Sequence, residues 1–509
     1  MNNQTVVILD FGGQYKELIA RRVRECGVYS VIVPFDTPTE KINEMNPCGI
    51  IFTGGPNSAY DAESPKCDER LFNLGVPILG ICYGAQLIAF MLGGKVIPCK
   101  KSEYGITDCT VDTNSVLFRG LESKQRVLMS HTDMISVLPQ GFDNIAATAI
   151  CPCAAFENGK RKIYGVQFHP EVEHSENGTE MIRKFLFDVC GAVGDYSMEN
   201  YLEEQIDAVR KQVGKKRILL GLSGGADSSV CAALLSRAVP GQVVCVYIDH
   251  GFMRKGESEA IKTIFGARDL DLVLVDASEI FLSKLSGVTD PEKKRKIIGT
   301  EFARAFERES SKLGKPEFLA QGTIYPDVVE SGKNKSAVIK SHHNVGGLPE
   351  DLGFEGVVEP LRYLFKDEVR KIGKLLGLPD ELIYRQPFPG PGLAIRVIGE
   401  ITREKLDILR EADAIVREEI GKSKRTKADQ YFCVLTDTRS VGVVGDFRTY
   451  EYTLAVRAVT TSDFMTCQFA RIPYGLLAKL SSRITNEVKG VGRVVYDITG
   501  KPPATIEWE

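Results

Sequence analysis

Residues 219–229 read Leu-Leu-Gly-Leu-Ser-Gly-Gly-Ala-Asp-Ser-Ser, and an apolar helical pattern starts at Val230. An apolar strand that runs through glycines and serines straight into a helix has the build of a pyrophosphate cradle. Glycine lets backbone N–H groups approach a ligand closely, serine adds hydroxyl donors, and the helix N-terminus favours negative charge. The segment lacks the Gly-Lys-Ser/Thr ending of a P-loop, which excludes the GTPase and kinase readings. Asp227 would repel a phosphate unless a cation lay between them, so a bridging Mg²⁺ at Asp227 is expected. The candidate nucleotide loop is therefore Ser223, Gly224, Gly225, Ala226, Asp227, Ser228 and Ser229.

Around this loop, β-rich runs alternate with helical periodicity. Val6–Leu9, Val31–Val33, Gly49–Phe52 and Val76–Leu79 read as strands, and Tyr15–Cys26 as a helix. A helix over Met198–Val213 leads to strands at Ile218–Leu222, Val243–Ile248 and Leu272–Val275. Pro291 suits the first turn of a long helix reaching about Leu313. Such alternation predicts an α/β fold with mostly parallel, doubly wound sheets, whose ligands gather at the carboxyl ends of strands. A chain of 509 residues holds about three domains. The turn Arg385-Gln386-Pro387-Phe388-Pro389-Gly390-Pro391-Gly392 opens the last. Its strands are expected at Phe432–Leu435, Glu451–Val459 and Arg493–Ile498, and its helices near Arg403–Glu419 and Tyr474–Glu487. The boundaries are set at 1–196, 197–384 and 385–509, the third domain being a smaller α/β unit. The Gly- and Lys-rich stretch 331–351, with Lys340, His342 and His343, reads as a functional lid, the alternative being a disordered loop.

Net charge is −3 at a pI near 6.2, which points to neither nucleic acid nor an anionic membrane as partner. No signal peptide and no membrane span are visible. Thirteen scattered cysteines without any Cys-x-x-Cys suit a reducing cytoplasm better than a disulfide framework or a zinc site.

A second chemistry lies in the first domain. Gly80-Ile81-Cys82-Tyr83-Gly84 joins a strand to a helix, the arrangement of a nucleophile elbow, which projects a thiol near a helix N-terminus. His169-Pro170-Glu171 ends another strand of the same domain, Ile163–Phe168. Thiol, imidazole and carboxylate are the parts of a covalent acyl-transfer site. Elbow and His-x-Glu together resemble the class I glutamine amidotransferase family over residues 5–195. That resemblance implies that Cys82 attacks the amide of glutamine, that His169 serves as base and acid, and that Glu171 orients it. It further implies an oxyanion hole near Gly55 and Tyr83, with Gln86 beside the substrate.

The loop at 223–229 resembles the PP-loop ATP pyrophosphatase family, which implies ATP as co-substrate, cleaved to AMP and pyrophosphate. Downstream, Asp290–Gly299, Gln321–Asp327, Lys340–Gly347, the Pro-Gly turn and Lys501-Pro502-Pro503-Ala504-Thr505-Ile506-Glu507-Trp508-Glu509 resemble the GMP synthase family. The match runs nearly end to end. It implies amination of xanthosine 5′-monophosphate (XMP) through an adenylate, XMP contacts from Arg295, Gln430, Lys501 and Glu507, and a homodimer built on the third domain. The loop carries Ala226 where many relatives have Val, a change expected to touch packing beneath the loop. Asp249-His250-Gly251 beside the loop either faces the nucleotide or makes a turn. The C-terminus, with the chain's single Trp, is expected to be docked. The competing readings are another glutamine-dependent PP-loop ligase, such as NAD synthetase or asparagine synthetase, and a non-catalytic nucleotide-binding relative. Different glutaminase types disfavour the first, and the intact set Cys82, His169, Glu171, Ser223 and Asp227 disfavours the second.

Overall fold

Short runs of β-branched residues between helical segments produce parallel strands joined by helices. A computed structural model describes residues 4–314, 316–331, 354–461 and 466–509, which divide into the units Met1–Tyr201 and Leu202–Glu509. The lid expected at 331–351 lies, apart from its first residue, outside the described residues, as do Lys340, His342 and His343.

In the first unit the strands are β1 (Thr5–Asp10), β2 (Tyr29–Pro34), β3 (Pro47–Phe52), β4 (Ile78–Ile81), β5 (Lys95–Val111), β6 (Lys124–Val137), β7 (Asp143–Thr148), β8 (Ala155–Asn158) and β9 (Ile163–Val166). They form one sheet in the order β2-β1-β3-β4-β9-β8-β7-β5-β6. The first five run parallel, with Val7, Ile50, Ile78 and Ile163 fully buried in the core. The remaining strands add an antiparallel extension. Sequence patterning does not predict this extension, because its polar alternation is weaker than the apolar runs of the parallel half. Its longest pair carries a bulge: Pro98 faces Asp133 and Glu103 faces His131, so residues 99–102 lie opposite Thr132 alone.

The second unit holds β10 (Ile218–Gly221), β11 (Val243–Asp249), β12 (Asp271–Asp276), β13 (Phe318–Ala320) and β14 (Gly356–Val358), all parallel, in the order β12-β11-β10-β13-β14. Strand order reverses beside β10, where a doubly wound sheet opens its ligand crevice. The helix Pro291–Lys312 starts as expected: Asp290 caps it by accepting from the Lys293 N–H at 2.8 Å. A second sheet contains β15 (Gln430–Val444), β16 (Phe447–Thr460), β17 (Gln468–Phe469) and β18 (Val491–Asp497). Leu219, Val244 and Val246 share one apolar cluster with Leu409, Val416, Leu454 and Val456. Segments 202–384 and 385–509 therefore have a continuous core.

Candidate functional site

Three strand ends of the first unit bring the acyl-transfer residues together. Cys82 follows β4 and precedes the helix Tyr83–Met91. Its backbone has φ 52° and ψ −110°, a conformation that side-chain-bearing residues rarely adopt. The elbow is held by the Cys82 N–H donating to the Val166 carbonyl at 2.8 Å. The turn also needs its glycine: a Cβ on Gly84 would come 2.5 Å from the Phe52 carbonyl oxygen. Bare backbone at Gly54 faces both reactive groups, since a Cβ there would lie 3.3 Å from His169 Cε1 and 3.7 Å from Cys82 Cβ.

His169 Nδ1 lies 2.7 Å from Glu171 Oε1, and both residues are buried. Tyr15 sets its ring edge-on to His169, and Ser175 Oγ donates to the His169 carbonyl at 2.6 Å. Burial opposes a charged imidazole, but the Glu171 carboxylate and the charge and hydrogen bonding of Cys82 outweigh it. The His169 pKa is raised to about 11. The arrangement is thus an imidazolium held beside the Cys82 sulfur. The first turn of the helix leaves N–H groups that the helix itself cannot pair, among them that of Tyr83. The Tyr83 ring is buried, with its hydroxyl donating to the Pro65 carbonyl at 2.5 Å. Gln86 is buried and donates to the Asp133 carbonyl at 2.9 Å and to Gln167 Oε1 at 3.2 Å. Gln167 belongs to no motif that the sequence displays, yet its amide lies 3.9 Å from Cys82 Sγ.

Among the described residues one group of metal-type donors stands apart from this constellation: Glu103, His131 and Cys151 lie with ligand atoms within 4.8 Å of one another. Each already has a hydrogen-bonding partner within the protein.

In the second unit the nucleotide loop follows β10. Gly224 takes φ 74°, and Gly225 forms the N-cap of the helix Ala226–Ala238. Ser223 Oγ and Ser228 Oγ lie 2.9 Å apart, and the Gly225 N–H donates to Ser223 Oγ at 3.3 Å. Ser229 is fully buried. Lys366, at the start of the helix Lys366–Leu375, donates to both oxygens of Asp227 at 2.6 Å. An ammonium ion therefore relieves part of the repulsion that the sequence assigned to a metal. Arg385 joins the loop by donating to the Gly224 carbonyl while pairing with Glu257. Neither Lys366 nor Arg385 is recognisable from sequence, because lone basic residues at element ends carry no motif. Asp249 makes its turn: it accepts from the Gly251 N–H at 2.8 Å and from Ser258 Oγ at 2.6 Å. His250 is buried, which lowers its pKa to about 4.

The C-terminus is docked. Trp508 Nε1 donates to Asp497 Oδ2 at 3.0 Å, and buried Arg457 donates to the carbonyls of Thr499 and Thr505 at 2.5 and 3.1 Å. Glu507 Oε1 accepts from Gln430 Nε2 at 3.1 Å and from Arg396 Nη2 at 2.8 Å. Arg295 Nη2 donates to the Glu509 main-chain oxygen at 2.5 Å. Lys501 is placed by backbone hydrogen bonds with Cys467. A cleft of about 550 Å³ is bordered by Tyr496, Asp497, Thr505, Glu507 and Trp508. Gln430 and Glu507 thus meet directly and Arg295 reaches the terminal residue, whereas Lys501 is tied to Cys467, just before β17.

Comparison with known proteins follows the same division. A glutamine amidotransferase class-I family model matches residues 7–189, an NAD synthase model residues 198–305, and a GMP synthase C terminal domain model residues 418–508. The chain is 59% identical over 511 residues to the glutamine-hydrolyzing GMP synthase of Caldicellulosiruptor saccharolyticus. It is 56% identical to that of Acetivibrio thermocellus and 58% identical to that of Clostridium botulinum strain Hall, both over 511 residues. Each alignment covers 100% of both chains.

Proposed function

The chain belongs to the glutamine-hydrolysing GMP synthase family, and from that membership we infer how its own residues carry the reaction. The enzyme is a ligase that aminates XMP to GMP with nitrogen from glutamine, ATP going to AMP and pyrophosphate. The NAD synthase match is confined to residues 198–305, the segment holding the nucleotide loop, so it reflects the ATP site. The observation that carries the reading is a buried Cys82–His169–Glu171 constellation in the same chain as the 223–229 cradle.

Cys82 Sγ attacks the side-chain carbonyl carbon of glutamine. The oxyanion that forms faces the N–H groups of Gly55 and Tyr83, where preorganised donors stabilise developing charge. His169 gives its proton to the departing nitrogen, and ammonia leaves behind a γ-glutamyl thioester. His169 then takes a proton from water as that water attacks the thioester, releasing glutamate and restoring the thiolate–imidazolium pair. Glu171 keeps the ring oriented throughout.

In the second unit the 2-oxygen of XMP attacks the α-phosphorus of ATP. The α–β bond breaks, and pyrophosphate leaves into the donors of Ser223, Gly224, Gly225, Ala226, Ser228 and Ser229. Ammonia then displaces AMP at C2. Hard oxygen donors on Asp227, Ser223 and Ser228 fit Mg²⁺, with Asp227 the residue that would hold it; bound there, the ion would offset pyrophosphate charge. Arg295 and Lys501 suit the XMP phosphate, and Glu507 with Gln430 suits the purine.

Three domains, 1–196, 197–384 and 385–509, divide this work. A homodimer through the third is supported by the hairpin of β15 and β16, which exposes Val441, Val443, Phe447 and Tyr450 at 60–78%. Thirteen free thiols suit a reducing cytoplasm. No helix among the described residues is long and apolar enough to cross a membrane. Cys82→Ala tests the assignment: it should abolish GMP formation from glutamine yet leave synthesis from added ammonium. Loss of both activities, or retention of both, would contradict it.

A further inference from the structure

Glu103 and His131 take no part in the chemistry above, yet both are buried, at 4% and 5% exposure. The bulge between β5 and β6 sets them directly opposite each other. His131 Nδ1 lies 2.9 Å from the Asp133 main-chain oxygen, which can only accept, so Nδ1 carries a hydrogen. His131 Nε2 lies 3.2 Å from Glu103 Oε2, and that contact requires one proton between the two atoms. Thr148 Oγ1 donates to the other carboxyl oxygen, Oε1, at 2.8 Å, so Glu103 is fixed from two sides.

The network continues to the nucleophile. Gln86 Nε2 donates to the same Asp133 carbonyl at 2.9 Å and reaches Gln167 Oε1 at 3.2 Å. The Gln167 amide lies 3.9 Å from Cys82 Sγ, and Cys82 Sγ lies 3.7 Å from the Ser130 carbonyl, one residue before His131. The Asp133 carboxylate is anchored in turn by Ser58 Oγ at 2.5 Å and Tyr60 OH at 3.2 Å, from the loop that follows Gly54 and Gly55. A ring of contacts thus runs from Cys82 through Gln167, Gln86, Asp133 and His131 back to Ser130, with Glu103 bracing it from outside.

We propose that Glu103 and His131 are positioning residues for the glutaminase half-reaction, and that their hydrogen bond fixes segment 130–133 as one wall of the glutamine site beside Cys82. The inference rests on the assignment of Cys82 as nucleophile. It concerns a hydrogen bond and not a charge, and that choice makes it testable. In Glu103→Gln the amide oxygen still accepts from Thr148, and the amide nitrogen donates to His131 Nε2. In Glu103→Ala both contacts vanish and the segment loses its brace.

Steady-state kinetics on the full chain should give Glu103→Ala a glutamine KM raised about tenfold, with kcat and ammonium-dependent synthesis within about threefold of wild type. Glu103→Gln should restore KM to within about twofold. Should Glu103→Ala not be recovered folded, His131→Asn keeps a donor for the Asp133 carbonyl, loses the Glu103 contact and carries the same expectation as Glu103→Ala. A wild-type KM in Glu103→Ala, a fall in kcat without a change in KM, or a Glu103→Gln variant as impaired as Glu103→Ala would overturn the proposal. Cys82→Ala run in parallel separates the two levels. If it still turns over glutamine, the nucleophile assignment fails; if it does not while Glu103→Ala behaves as wild type, only the positioning role fails.

Discussion

Arg396 grips Glu507 with two nitrogens, Nε at 3.0 Å and Nη2 at 2.8 Å, while its guanidinium stacks 3.9 Å above the Phe432 ring. Arg396 is fully buried, and Glu507 belongs to the C-terminal segment expected to read the purine of XMP. The fork fixes the carboxylate plane, and Glu507 borders the cleft beside Trp508. Removing one partner of a buried pair leaves the other charge uncompensated, at a cost of about 3 kcal/mol. Arg396→Met should therefore raise the KM for XMP by at least tenfold and leave glutamine hydrolysis by the first unit intact. Substrate-saturation curves for XMP check this; an unchanged XMP KM would show that the grip is purely structural.

Lys366 neutralises Asp227 through both carboxylate oxygens. Its side chain is 40% exposed, so little folding stability depends on it. The effect belongs at the phosphates. Lys366→Ala should raise the KM for Mg-ATP by about tenfold and steepen the dependence on free Mg²⁺, as the carboxylate loses its standing countercharge. A magnesium titration at fixed ATP distinguishes this from a variant indifferent to the ion.

Gly84 is the tightest point of the thiol elbow, where an added methyl would sit only 2.5 Å from the Phe52 oxygen. Gly84→Ala must shift the helix start and cost about 2 kcal/mol. Cys82 would move with it. Glutamine-dependent synthesis should fall at least a hundredfold, with ammonium-dependent synthesis nearly unaffected; equal loss of both would point to collapse of the whole chain.

His250 sets an acid limit on stability. It is buried with a pKa near 4, against about 6.5 for an exposed histidine. Between those values the unfolded chain binds a proton that the folded chain does not. Stability present above pH 6.5 is therefore lost as pH falls toward 4, by about 2 kcal/mol at pH 5 and about 3 kcal/mol in full. Asn at position 250 can still accept from the Phe252 N–H, which His250 Nδ1 does at 3.1 Å. Denaturant midpoints should fall between pH 7 and pH 5 in the wild type, and less steeply in His250→Asn.

The residues legible in the sequence are those whose chemistry coincides with a local backbone demand. Cys82 sits between glycines at a strand end, and Ser223–Ser229 joins β10 to its helix; both motifs need only a few neighbouring residues to be recognised. Strands and helices of the parallel sheets are legible for the same reason, from apolar runs alternating with helical periodicity. Glu103 against His131 is not, because their pairing depends on how residues 99–102 bulge against Thr132. Arg396 is hidden behind the apolar run Leu393-Ala394-Ile395, and only the returning C-terminus supplies its partner. Lys366 and Asp227 are likewise far apart in the chain and meet only because their helices start side by side. Long-range pairings of this kind leave no periodicity to read.

The most direct measurement is incubation of the full chain with XMP, Mg-ATP and glutamine, with the nucleotides separated chromatographically and pyrophosphate assayed. GMP, AMP and pyrophosphate should appear in equal amounts, one glutamate per GMP, and none of the three without XMP. ADP in place of AMP, or ATP cleavage to AMP that ignores XMP, would contradict the account.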